Sequence, residues 1–471
     1  MLLLSFASGY GYHRDELYFL AAGQHLDWAY PDQGVLTPLI ARTMNAIGGD
    51  SLTLLRLPSA LAAGLIVLLT AKTTQELGGS RRAEWIAAAS VASAAIVLFA
   101  GHLLSTTTFD LLAWTAITWL AVRAISRSED RLWLVVGAVF GIALLNKPLP
   151  AFLAAALAAG ILIAGPRSLL RSPYLWGGAV LALILWAPWL LWQAGHNWPQ
   201  LDVGRELAAG GSVSSEPWWA IVSFQLLLAS PPLAPVWIAG LVSLFRDTEL
   251  REFRFLAWSW LILACLFMLT GGKPYYLAGL LPVLIAAGSL QVDAWLHSSR
   301  EHIRRGVLAV ALLASAAVSA VVALPILPIE DVDPVLAFNK DVGETIGWPS
   351  FTETVARVYR EAPGAGAAII LTGNYGEAGA IERFGPAHGL PKPFSGHNAY
   401  WEWGPPQDGP APVIAVGLSP EDLALLRGCH LADRIEFNPS VENEAQGTGV
   451  LFCRGPRYPW SEIWPELRRL G

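Results

Sequence analysis

The sequence predicts a polytopic α-helical membrane protein of about ten spans that carries a small α/β domain at its C-terminal end. Three observations predict it. Apolar residues make up 54% of 471 and charged residues only 14%, too little polar surface for a soluble chain of this length. Apolar stretches of spanning length recur between residues 52 and 327. Beyond about residue 330 the apolar runs shorten to strand length, and Gly, Pro, Asp, Glu and Asn become frequent. The expected division is a first outer loop with interfacial amphipathic helices over 1–50, a transmembrane bundle over 51–327, and an extracytoplasmic α/β domain over 328–471.

The same composition excludes other classes. A net charge of −6 argues against nucleic acid as a partner. Three Cys provide no disulfide framework, and the 21 Trp suit membrane–water interfaces. Residues 1–7 are apolar but far shorter than the roughly 20 residues of a span, and they lack the basic start of a signal peptide. The expectation there is a remnant of a first helix or a start further upstream.

Residues 9–32 are aromatic and acidic, with Asp15 and Glu16 beside His13 and Arg14. Apolar residues Leu17, Leu20, Ala21 and Trp28 recur at helical spacing, so 17–28 and 38–47 read as amphipathic helices lying flat at the interface. The spans follow at 52–70, 84–101, 109–126, 131–147, 149–165, 174–193, 217–245, 254–270, 275–295 and 306–327. The 217–245 stretch is overlong and holds Pro231, Pro232 and Pro235, which predicts a kink.

Charge sets the orientation. Alternate connections hold Lys72, Arg81 and Arg82; Arg123, Arg127 and Arg131; Arg167 and Arg171; Arg246, Arg251 and Arg254; Arg300, Arg304 and Arg305. The others hold only Lys147, Arg205 and Lys273. Fourteen against three is a positive-inside signature. It places Asp15 and Glu16, residues 105–110, Asn146-Lys147-Pro148, the loop 194–216, residues 271–276 and everything beyond 328 outside the cytoplasm. In the C-terminal part, 367–371, 413–416 and 449–453 read as strands and 376–384 and 420–426 as helices, with Ser419 as an N-cap. Cys429 and Cys453 lie there, where an oxidising compartment permits a disulfide.

Several residues qualify for chemistry. In an arbitrary loop an acid pair such as Asp15-Glu16 is more often simply solvated. Here it precedes a membrane-hugging helix and shares a face with scarce cations. Asp110 has two readings, a partner for a helix N-terminus or the second acid of a site. Lys147 and Lys273 are either snorkelling lysines or, with Arg14, anion ligands suited to a phosphate headgroup. His196 is a weak metal candidate, since no two ligands have ligand-like spacing. Residues 372–377, with Asn374, Tyr375 and Glu377, follow a strand and open a helix, a common place for a ligand loop that turn formation alone also explains.

These residues carry a resemblance. His13-Arg14-Asp15-Glu16-Leu17-Tyr18, the 28–34 run Trp-Ala-Tyr-Pro-Asp-Gln-Gly, Phe109-Asp110, Asn146-Lys147-Pro148 and Lys273-Pro274-Tyr275-Tyr276 resemble the lipid-carrier-dependent glycosyltransferases of the GT-C class, the protein O-mannosyltransferase and aminoarabinose-transferase-like group. The likeness covers about residues 10–325. It implies a GT-C-like bundle in the cell membrane, with a polyprenyl-phosphate sugar as donor and a lipid, glycan or protein hydroxyl as acceptor. Asp15 would be the base, Glu16 its support, Lys147, Lys273 and Arg14 the donor-phosphate ligands. Asp110 and His196 would support the site or hold a divalent cation. Tyr275, Asn374, Tyr375 and Glu377 are acceptor-side or outer-domain candidates. The chain departs from its relatives in lacking a spanning helix before the acid pair, and in Gln33-Gly34-Val35, where relatives often carry Gln-Pro-Pro. The competing readings are a transporter, a glycolipid flippase or a glycolipid-binding protein without transferase activity. A transporter would more often show mid-span charges, broken helices and repeated halves.

Overall fold

The computed structural model describes residues 2–210, 216–297, 300–437 and 439–471. Residues 211–215 of the expected loop 194–216 therefore lie outside the described residues, while 199–208 form a helix rather than loop. The chain gathers into two compact units. One comprises Met1–Ala7, Gln33–Thr37 and Arg56–Leu324, the other Ser8–Asp32, Pro38–Leu55 and Pro325–Gly471.

The first unit is a helical bundle. Among the described residues six of its helices are long and apolar enough to cross a membrane, and two bent pairs raise the number to eight, which makes this a multi-pass membrane protein. Each of the ten apolar stretches holds an apolar helix or pair. However, Leu132–Leu144 and Leu149–Ala164 have 13 and 16 residues, short of a span by themselves. The stretch expected to kink breaks between Ala220–Leu228 and Pro231–Arg246 at 96°. A second break, of 60°, separates Arg81–Ala92 from Ala95–His102. Between hydrocarbon-loving helices the contact is made by close approach rather than by the hydrophobic effect. Helices Ala234–Arg246 and Leu281–Leu296 show this: a Cβ on Gly288 would meet the Val236 carbonyl at 1.8 Å. Away from the candidate residues, Asp293 accepts from Ser80 at 2.6 Å and pairs with Arg82.

The second unit is α/β. Its strands are β1 Ile369–Thr372, β2 Phe394–Ser395, β3 Val413–Val416, β4 Leu426–Arg427, β5 His430–Arg434, β6 Gly449–Cys453 and β7 Gly455–Pro456. Five form one sheet in the order β2-β1-β3-β6-β5, and β4 pairs with β7. The pairs β2–β1 and β1–β3 are parallel, β3–β6 and β6–β5 antiparallel. Val413, Ala415, Leu371 and Cys453 pack with Trp460, Trp464 and Leu467 in its core. Cys453 is joined to Cys429 by a disulfide. Amphipathic helices Trp348–Glu361 and Tyr375–Phe384, together with Arg14–Gln24 from the early segment, complete the unit. Ser419 caps Pro420–Ala424 by accepting from the Asp422 amide at 3.2 Å.

Candidate active site

In the α/β unit the site is built from a helix start. His13 is the N-cap of Arg14–Gln24. Its Nδ1 accepts from the Asp15 amide at 3.1 Å, and its own amide donates to Glu16 Oε2 at 2.9 Å, a reciprocal capping box. This separates the two acids. Glu16 is 0% exposed, whereas the Asp15 side chain keeps 36% exposure.

Tyr375 reaches Asp15 from the C-terminal segment. Its hydroxyl donates to Asp15 Oδ1 at 2.9 Å, and its ring stacks on Tyr18 at 4.7 Å. Tyr18 in turn donates to Asp32 Oδ1 at 2.8 Å and accepts from the Ala399 amide at 3.2 Å, while Asn398 donates to Asp32 Oδ2 at 3.2 Å. Two glycines allow the approach. A Cβ on Gly376 would meet Arg14 Cβ at 2.9 Å, and one on Gly379 would meet the Leu17 backbone at 3.0 Å. Burial, opposed by Arg14 and reinforced by Asp15, pushes the Tyr375 phenol well above its usual range, so it stays a donor. Along β1, β2 and β3 the chain steps first to one side of β1 and then to the other. The carboxyl end of β1, from which Tyr375 follows, is thus a switch point where open sheets bind ligands.

Arg14, expected at a phosphate, has carboxylates around it. It pairs with Glu444 and lies 4.0 Å from Glu344 Oε2, 3.7 Å from Asp15 Oδ1 and 5.8 Å from the Tyr375 ring centroid. Asn374 and Glu377 form a second capping box: Asn374 Oδ1 accepts from the Glu377 amide at 2.9 Å, and Glu377 Oε2 accepts from the Gly373 amide at 3.0 Å. Burial pushes the Glu377 carboxyl up to about 8, partly offset by the Asn374 and Gly373 amides. Their polar atoms are committed to the helix start, so the turn-forming reading describes this geometry. His397, 4.9 Å from the Tyr375 ring, is pushed down to about 4 by burial and is neutral at pH 7.

In the bundle unit a different group forms. Asp110, in the first turns of Thr106–Ser126, is 7% exposed and accepts from Trp114 Nε1 at 3.1 Å. Lys147 acts on it electrostatically. The Lys147 ammonium lies 4.9 Å from the Tyr276 ring centroid and 5.2 Å from that of Tyr275, a cation–π arrangement. Asn146 fixes the turn. It accepts from Thr37 Oγ1 at 2.7 Å and donates to the Thr106 carbonyl at 2.8 Å. Gly34 donates to the Asn146 carbonyl at 3.0 Å, and a Cβ there would strike the Leu145 carbonyl at 2.0 Å. Lys273 opens the turn Pro274–Leu280, whose Pro274 carbonyl is held by the buried Gln225 amide at 2.8 Å. His196 is exposed, stacked on Trp192 at 3.9 Å.

Among the described residues no three His, Cys, Asp or Glu side chains gather as a metal requires, and Asp110 has an ammonium for a neighbour. The partners Tyr18, Asp32, Thr37, Trp114, Gln225, Glu344 and Glu444 were not singled out from sequence. Tyr18 and Asp32 fall inside the 13–18 and 28–34 runs, and Tyr18 lies three residues beyond Asp15 on one helix face.

The architecture is a GT-C-like bundle of membrane-spanning helices with a small α/β unit. Residues 32–192 match the dolichyl-phosphate-mannose-protein mannosyltransferase family. The structure is similar to that of ArnT from Cupriavidus metallidurans bound to undecaprenyl phosphate, with TM-score 0.62, 15% identity and 96% of each chain covered. The apo state of the same protein gives TM-score 0.60 and 14% identity, again with 96% of each chain covered. An Archaeoglobus fulgidus oligosaccharyltransferase tethered with an acceptor peptide gives TM-score 0.50 and 13% identity, over 81% of this chain and 60% of that one. A search of curated protein sequences gives no significant match.

Proposed function

We propose that this chain is an inverting glycosyltransferase that moves a sugar from a polyprenyl-phosphate carrier to an acceptor hydroxyl outside the cytoplasm. The observation that carries the reading is Asp15, a part-exposed carboxylate fixed by a buried phenol in a chain of GT-C fold. The binding of undecaprenyl phosphate by the similar C. metallidurans protein supports the carrier, and the bias of basic residues between connections supports the sidedness.

Asp15 accepts the proton of the acceptor hydroxyl as that oxygen bonds to the anomeric carbon. The bond from this carbon to the carrier phosphate breaks, and its electron pair leaves on the phosphate oxygen. Attack from the face opposite the phosphate inverts the anomeric configuration. One base suffices, because a phosphate leaves as an anion without needing a proton. Lys147 and Lys273 stabilise the charge that grows on that phosphate. The acceptor is a hydroxyl on a lipid, glycan or protein.

Purified protein in lipid, offered a panel of labelled polyprenyl-phosphate sugars with products read by mass, tests this. Transfer with inversion is expected, and Asp15→Asn should abolish it without loss of expression. Full activity in that variant removes Asp15 as base, and binding of every donor without transfer favours a carrier-binding protein.

A further inference from the structure

We infer that Tyr375, supplied by the polar C-terminal segment, is the positioning residue of the Asp15 carboxylate, holding Oδ1 so that the base meets its acceptor in one orientation. The inference rests on the reading of Asp15 as base.

Misplacement of a base is costly to the reaction it serves. The Tyr375 hydroxyl sits 2.9 Å from Oδ1. Its ring is itself immobilised, stacked on Tyr18 at 4.7 Å and contacting His397 at 4.9 Å. The backbone behind it is fixed by the Asn374–Glu377 capping box and by the tight seats of Gly376 and Gly379 on Arg14–Gln24. A rigid donor on a rigid element is what preorganisation requires.

The charged and titratable groups around Asp15 include Arg14 and Tyr375 directly, His13 through the Asp15 amide, Glu344 and Glu444 through Arg14, Asp32 through Tyr18, and the neutral His397 beyond the Tyr375 ring. The Tyr375 hydroxyl donates to Asp15 Oδ1 at hydrogen-bond distance. A hydrogen bond to the ionised form favours that form, so removing the hydroxyl raises the pH at which Asp15 ionises.

Tyr375→Phe keeps the ring and its stacking. The expected result is kcat lower by about 10- to 100-fold, an unchanged donor KM, and an acidic limb of the pH–rate profile about one pH unit higher. Tyr10→Phe is the structural control. It removes a hydroxyl that donates to the Leu327 carbonyl at 2.6 Å in the same unit, and should lower Tm with the limb unmoved. Infrared titration of 13C-labelled aspartate, with Asp15→Asn assigning the band, reads Asp15 without turnover and should show the same upward displacement in Tyr375→Phe. If Tyr375→Phe does not fold, 3-fluorotyrosine placed at 375 keeps ring and hydroxyl and, as a stronger donor, should move limb and band downward. An unmoved limb and band in whichever variant folds, with Asp15→Asn inactive, overturns this inference alone. Full transfer by Asp15→Asn overturns the base reading and this inference with it.

Discussion

A carboxylate at a helix start, a guanidinium and a phenol share one corner of the α/β unit, and each alters what its neighbours can do. Arg14 is balanced by Glu444, Glu344 and Asp15, so its charge organises the corner. Glu377, a neighbouring acid, carries a consequence for stability. Burial raises it to about 8, while in the unfolded chain it ionises near the usual value of 4.5. The folded state therefore holds an extra proton between those values. Its contribution is fully present below about pH 4.5 and is lost as pH rises through about 8. Glu377→Gln keeps an acceptor for the Gly373 and Asn374 amides, and Tm followed from about pH 5 to 9 should fall less steeply than in the parent. Asp15 was legible as a candidate because carboxylates are scarce in this chain. The burial of Glu16 was not, because its capping box starts on a histidine rather than the Ser, Thr, Asp or Asn that signals one. Tyr375 stands 360 residues from Asp15, and no local pattern could join them.

At the scale of elements, the apolar stretches were legible because spanning length and lack of charge leave few alternatives. The 96° break was also legible, since Pro231, Pro232 and Pro235 stand at it. The 60° break was not: Ser93 and Ala94 separate the two helices without a proline or glycine. In the α/β part 413–416 and 449–453 emerged as expected. β5 escaped notice because His430–Arg434 is a largely exposed edge strand without an apolar run. Gly34 shows an element held by the smallest residue. The Gln33–Thr37 strap lies against Leu145 and Asn146 through two backbone hydrogen bonds, and any side chain at 34 collides with the Leu145 carbonyl. Gly34→Ala should displace the Asn146-Lys147 turn and reduce transfer at least about tenfold, a cost of about 1.4 kcal/mol or more. Gly306→Ala, with nothing within 4 Å of its Cβ, should be silent or stabilise by about 0.5–1 kcal/mol. Parallel activity and thermal-shift measurements on the two variants check this.

Across the whole molecule, the disulfide and the path of the chain set what holds together. Cys429 and Cys453 close a loop with a sequence separation of 24, a constraint worth about 3 kcal/mol in the chain-entropy account. Thiol labelling of denatured protein should find Cys265 alone until reductant is added, and reduction should lower the stability of the α/β unit by about that amount. The path has a different bearing. The chain leaves one compact unit for the other after Ala7, Asp32, Thr37, Leu55 and Leu324, five passages in all. The composition change near residue 330 marks only the last of them, because the short early visits are too brief to alter average composition. The C-terminal tail is consequently no detachable cassette. Cut away at 328 and expressed alone, it would carry Tyr375, Gly376 and Gly379 with the surface that seats Arg14–Gln24 laid bare. Grafting it onto another scaffold, or dosing it as a free fragment, would require the 8–32 and 38–55 pieces to travel with it.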